Sequence, residues 1–128
     1  MKNIKLVILE SPYAGDIEEN IKYARDCLRD SLMRGEAPLA SHLLYTQAGV
    51  LNDSDPSERA RGIDAGLAWC VHAWASVVYY DRGISEGMRY GIRAAVMQGL
   101  WIEPRSLYGV PVTKEFEEVL KQARAARK

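Results

Sequence analysis

The chain has little cysteine, little histidine and no surplus of either charge. Its 128 residues include two cysteines, two histidines and one phenylalanine, and seventeen basic side chains balance seventeen acidic ones. That balance leaves no field of one sign to steer the protein toward a nucleic-acid polymer or an anionic membrane, although a local basic patch is compatible with it. No CxxC pair or Cys/His cluster points to a metal site, and no motif calls for a cofactor. Cys27 and Cys70 each fall on the apolar stripe of an expected helix and read as buried, reduced thiols. No segment approaches the roughly 20 apolar residues of a membrane span, and the run Ile4 to Leu9 is too short for a signal peptide. A cytoplasmic protein is the expectation.

There is no internal repeat, linker or low-complexity tract. A composition of 48% hydrophobic and 27% charged residues is that of a folded chain, with room for one core and one domain over residues 1–128. Ile4 to Leu9 is a short apolar run rich in β-branched residues, the pattern of a strand buried on both faces. Ser11-Pro12-Tyr13-Ala14-Gly15 breaks it, and Asp16, with Glu19 three residues on, caps a helix. Ile17, Ile21, Ala24, Leu28 and Leu32 predict its buried stripe, and Gly35 its stop.

Pro38 to Leu44 reads as a second, weaker strand carrying Ser41 and His42. Asp55-Pro56-Ser57-Glu58 is a strong helix start, with Ile63, Leu67, Cys70 and Trp74 as the expected buried stripe. Ser76 to Tyr80 is the third strand. Ser85 caps a third long helix with core positions Met88, Ile92, Ala95 and Val96. Leu100 to Glu103 is a fourth strand, Pro104 to Val112 a loop, and Thr113 caps a last helix with Phe116, Val119, Leu120 and Ala123 inward.

This alternation predicts an α/β fold of three α/β/α layers, with a four- or five-stranded parallel sheet. The expected strand order is 2-1-3-4. Ligands in such sheets bind outside the carboxyl ends of the strands, where the chain reverses direction between strands 1 and 3. Two unusual loops converge there, Glu10 to Asp16 after strand 1 and Asp81 to Gly87 after strand 3. Ser11 to Asp16 supplies small residues, backbone N–H groups and Tyr13, which suits stacking or a hydrogen bond at a helix start that favours anions. Asp81 to Met88 supplies Arg82 and Ser85 for a phosphate, Gly83 and Gly87 for close backbone approach, and Glu86 in a helix first turn as a carboxylate nucleophile or base. His42 faces the same edge. Tyr45 to Ser54, about ten residues, reads either as a lid or as an incidental surface loop.

With these residues in hand, the chain resembles the nucleoside 2-deoxyribosyltransferase-like superfamily, above all its small bacterial and phage members. Leu6 to Gly15, with Asn20 beyond, is similar to their "SPY" strand-turn-helix opening. Gly35 to Leu43 is similar to their "G-x-x-P…H-L" second strand, and Ser76 to Asp81 with Gly83 to Met88 to their third strand and "S-x-G-M" helix start. The pieces span residues 4 to about 100. The resemblance implies a flavodoxin-like or Rossmann-like domain that binds a nucleoside or nucleotide, assembles as a homodimer or larger oligomer, and cleaves or exchanges an N-glycosidic bond. It implies Glu86 as nucleophile, with Asp81 as the fallback, Tyr13 orienting it and Asp64 nearest the base. Ser11, Gly15, His42, Asp81, Arg82, Ser85 and Gly87 are then the expected ligand contacts. The alternative is a protein that holds a nucleotide or nucleotide-derived signal without turning it over.

Overall fold

Four short segments pair edge to edge into one sheet. In the computed structural model, which describes residues 3–127, they are β1 (Leu6–Glu10), β2 (Ala37–Leu39), β3 (Ala75–Tyr79) and β4 (Trp101–Arg105). All pairings are parallel and the order is β2-β1-β3-β4. The helices between and after them are α1 (Ile17–Met33), a single turn α2 (Ser41–Leu44), α3 (Pro56–Ala68), α4 (Glu86–Met97) and α5 (Lys114–Arg127). Among the described residues no helix is long and apolar enough to cross a membrane.

Helices lie on both sides of the sheet because each strand alternates its side chains between two faces. Val7, Leu9, Ala75, Val77 and Tyr79 pack with Tyr23 and Cys27 of α1 on one face. Val78, Tyr80 and Ile102 pack with Met88, Ile92 and Val96 of α4 and Phe116, Val119 and Ala123 of α5 on the other. Each large aliphatic side chain sealed this way stabilises the fold by about 1.5–3 kcal/mol. Both cysteines are buried and unpaired.

Four local readings need correction. The buried side of α1 is Asn20, Tyr23, Ala24, Cys27 and Ser31, while Ile17 and Leu32 are 44% and 57% exposed. Polar anchors set that rotation: Asn20 Nδ2 donates to the carbonyls of Tyr13 and Ala14, Tyr23 Oη to Asp81 and Ser31 Oγ to Glu36. The second strand ends at Leu39, because Leu43 and Leu44 N–H both turn back to the Ala40 carbonyl and wind Ser41 and His42 into α2. α3 stops at Ala68 and passes into a 3-10 turn, Trp69–His72, so Cys70 is buried but Trp74 is not. Trp74 N–H already donates to Leu6 O at 2.8 Å, which commits the chain to the sheet. Finally, β4 runs through Pro104 to Arg105, which an edge strand tolerates.

Candidate functional site

The order β2-β1-β3-β4 puts the reversal between β1 and β3, and a cavity of about 270 Å³ opens at their carboxyl ends. Ile8 and Glu10 of β1 line it, and α3 and α4 form facing walls. α3 contributes the stripe Gly62, Ile63, Gly66 and Leu67. Gly66 is required by packing: a β-carbon there would meet Ser41 Cβ at 2.8 Å, so its absence lets α2 close on α3. The loop after α2 lends Tyr45, Thr46, Leu51 and Asp53 to the wall.

Six of the expected site residues line this one cavity: Ser11, Tyr13, His42, Ser85, Glu86 and Gly87. Ser11 is buried and its Oγ shares a 2.7 Å hydrogen bond with His42 Nε2. Burial pulls the His42 imidazole down to about 4, so the ring is neutral at physiological pH and fit to exchange hydrogen bonds rather than to carry charge. Ser85 Oγ accepts from Met88 N–H at 3.2 Å, which starts α4 at the cavity wall. Glu86, in the first turn, is exposed at the opening.

Four expected site residues lie elsewhere. Gly15 is exposed in the turn before α1, with φ +102°, and does not border the cavity. Arg82 is exposed, 3.9 Å from Glu19 and stacked over the Tyr23 ring on the α1 side. Asp81 accepts from Tyr23 Oη at 2.7 Å, from Leu107 N–H at 2.8 Å and from Ser106 Oγ. Those bonds spend its oxygens on joining α1 to the loop after β4. Asp64 is exposed on α3 and outside the stripe that faces the cavity.

Sequence reasoning placed Glu10 in the loop after the first strand and gave it no role in the site. Its carboxyl lies in the cavity, and burial pushes it up to about 8. It holds its proton at neutral pH. The signal was available: Ile8 and Glu10 share one face of β1, so a single carboxyl ends an otherwise apolar strand at the reversal point. Cys70 also borders the cavity, its thiol pushed up by burial and then by the Glu10 charge. Among the described residues no three His, Cys, Asp or Glu side chains gather as a metal site. A second, open groove runs on from Glu86 and Gly87, lined by Arg59, Arg89 and Arg93.

A family model described as a domain of unknown function, DUF7768, matches residues 5–105. No curated protein sequence matches the chain. Among solved structures, a 2-deoxyribosyltransferase from the psychrotolerant bacterium Bacillus psychrosaccharolyticus, a biocatalyst for the synthesis of antiviral and antitumoral nucleosides, has a similar fold. The superposition has a TM-score of 0.60, covers 90% of this chain and 82% of that one, and leaves 16% sequence identity.

Proposed function

The chain belongs to the DUF7768 family of domains of unknown function, and for this member we propose an enzyme that cleaves or exchanges the N-glycosidic bond of a nucleoside or nucleotide. The observation that carries the reading is the cavity at the sheet reversal, bordered by Tyr13 and by carboxyl groups in different surroundings, among them Glu10 enclosed and Glu86 at the opening. Glycosidic bonds break through a cation-like sugar, and carboxyl groups are the side chains that stabilise or trap one. The fold shared with a 2-deoxyribosyltransferase supports the same choice.

In this reading the base enters the cavity and Tyr13 orients the reacting groups. Glu86, in the first turn of α4, meets the anomeric carbon from the open side. Ser11 and the neutral His42 hold the ligand by hydrogen bonds. The arginine groove next to Glu86 suits a phosphate, so a 5′-monophosphate is preferred to the free nucleoside.

One observation favours a second reading. Glu86 is exposed rather than enclosed, as a residue that only rims a binding site would be. The protein then holds a nucleotide without turning it over. Incubation with a panel of nucleosides and their monophosphates separates the two, reading free base by chromatography and ligand binding by thermal shift. Base release supports the enzyme, a thermal shift without base release supports the binding protein, and neither signal overturns both.

A further inference from the structure

The cavity contains a carboxyl to which the mechanism above gives no task. Glu10 ends β1 beside Val78 of β3, on the face that looks toward α3 and α4. α4 is shaped around it: a β-carbon at Gly91 would stand 2.7 Å from the Glu10 carboxyl carbon. Among the described residues no hydrogen bond or ion pair engages its oxygens, and they border open space in the cavity. An aliphatic side chain would pack here without the cost of holding a poorly solvated, unpartnered carboxyl, which argues against a purely structural role.

The charged and titratable groups around it come from every neighbouring element. α2 offers His42, already bonded to Ser11, and the 3-10 turn offers Cys70. The loop before α3 brings Asp53, α3 itself brings Glu58 and Arg59, and α4 brings Glu86 and the Tyr90 phenol, while Tyr13 and Tyr45 add two more phenols. The sole cation among these is Arg59, which is exposed, and desolvation alone governs the Glu10 carboxyl.

We infer that Glu10 is a catalytic residue, the general acid that protonates the departing base. The inference rests on the N-glycosidase reading and names its missing proton donor. As the Glu86 carboxylate forms a bond to the anomeric carbon, the carbon–nitrogen bond breaks and its electron pair stays on the base. The base takes the Glu10 proton and leaves neutral. Water then attacks the anomeric carbon, gives its proton to the Glu10 carboxylate and releases the free sugar and the Glu86 carboxylate. In an exchange, the N–H of a second base replaces the water and returns its proton in the same way.

The test compares two leaving groups in the parent and in Glu10→Gln, with Glu10→Asp as a second variant that keeps a proton to give. A nucleoside methylated at guanine N7 already carries a positive base and departs without protonation. Glu10→Gln is expected to lower base release from ordinary nucleosides by about 10²–10⁴-fold and from the methylated one by less than about tenfold. Glu10→Asp is expected to retain part of the ordinary activity, and the parent rate to fall as pH rises past about 8 with that limb missing in Glu10→Gln. Equal losses on both substrates, or no loss in a variant of native circular dichroism, overturn the acid role while leaving the N-glycosidase reading intact. A parent that releases no base from either substrate overturns the reading and the acid role together.

Discussion

Gly91 and Glu10 occupy one space: the backbone of α4 at residue 91 leaves room for the carboxyl that ends β1, and a methyl group there would stand 2.7 Å from the carboxyl carbon. Alanine is the better helix former by about 1 kcal/mol, so an exposed site would gain from Gly→Ala. At residue 91 the methyl meets only the movable end of the Glu10 side chain, so the carboxyl gives way and the backbone stays. Gly91→Ala is expected to change stability by less than about 1 kcal/mol in urea denaturation and to impair the site by displacing the Glu10 carboxyl. A loss above about 2 kcal/mol would show that the carboxyl has no room to move.

Glu10→Gln should raise stability, and only on one side of the pH scale. The folded carboxyl stays protonated up to about 8, whereas the unfolded one ionises near its ordinary 4.5. Between those values the unfolded state has released a proton that the folded state keeps, so parent stability falls as pH rises through the window. The variant lacks that slope. Its advantage should be absent below pH 4.5 and reach on the order of a few kcal/mol above pH 8. Thermal melts of both proteins from pH 4 to 9 would reveal parallel curves if Glu10 were ordinary.

His42 acts at the other end. Its folded value is about 4 and its ordinary value 6.5, so the unfolded ring takes up a proton in that window while the folded ring refuses it. Stability contributed by the neutral ring is complete above 6.5 and is lost as pH falls toward 4. His42→Gln should flatten that part of the acid limb in the same melts. Retention of the full limb would assign it to the carboxylates alone.

Arg105 is 4% exposed, its Nη1 and Nη2 bonded to Glu36 at 2.7 and 2.6 Å and its Nε to Glu103 at 2.5 Å. Arg105→Met leaves Glu36 and Glu103 without the guanidinium bonded to them, and the nearby Arg34 is already held by Asp30 at 2.9 Å. A loss of about 3–5 kcal/mol is expected in urea denaturation. The Arg105 hydrogen bonds also hold the Glu36 carboxyl below its ordinary value, so this part of the stability is present above pH 4.5 and lost below it. A loss under 1 kcal/mol would mean that the cluster relaxes to water.

The sheet order and the long helices were legible because their signals are local: β-branched runs for β1 and β3, and Ser85 or Asp55 as caps. α1 was legible as a helix and not in its rotation, since Asn20, Tyr23 and Ser31 turn it by bonds to residues far along the chain. The site divides in the same way. Strand ends brought Ser11, Tyr13 and Ser85 to one cavity. Helical phase and loop rotation, which strand ends do not encode, carried Asp64 and Arg82 away from it, and the polarity of Glu10 hid a strand position.

The two outer strands limit what the sheet can join. β2 is three residues long, and on β4 the Arg105 carbonyl accepts from Tyr80 N–H, which turns the backbone of Pro104 toward the open side. One rim is therefore too short to template another strand, and the other is missing a donor in its middle. Both features disfavour extension of the sheet by a second copy.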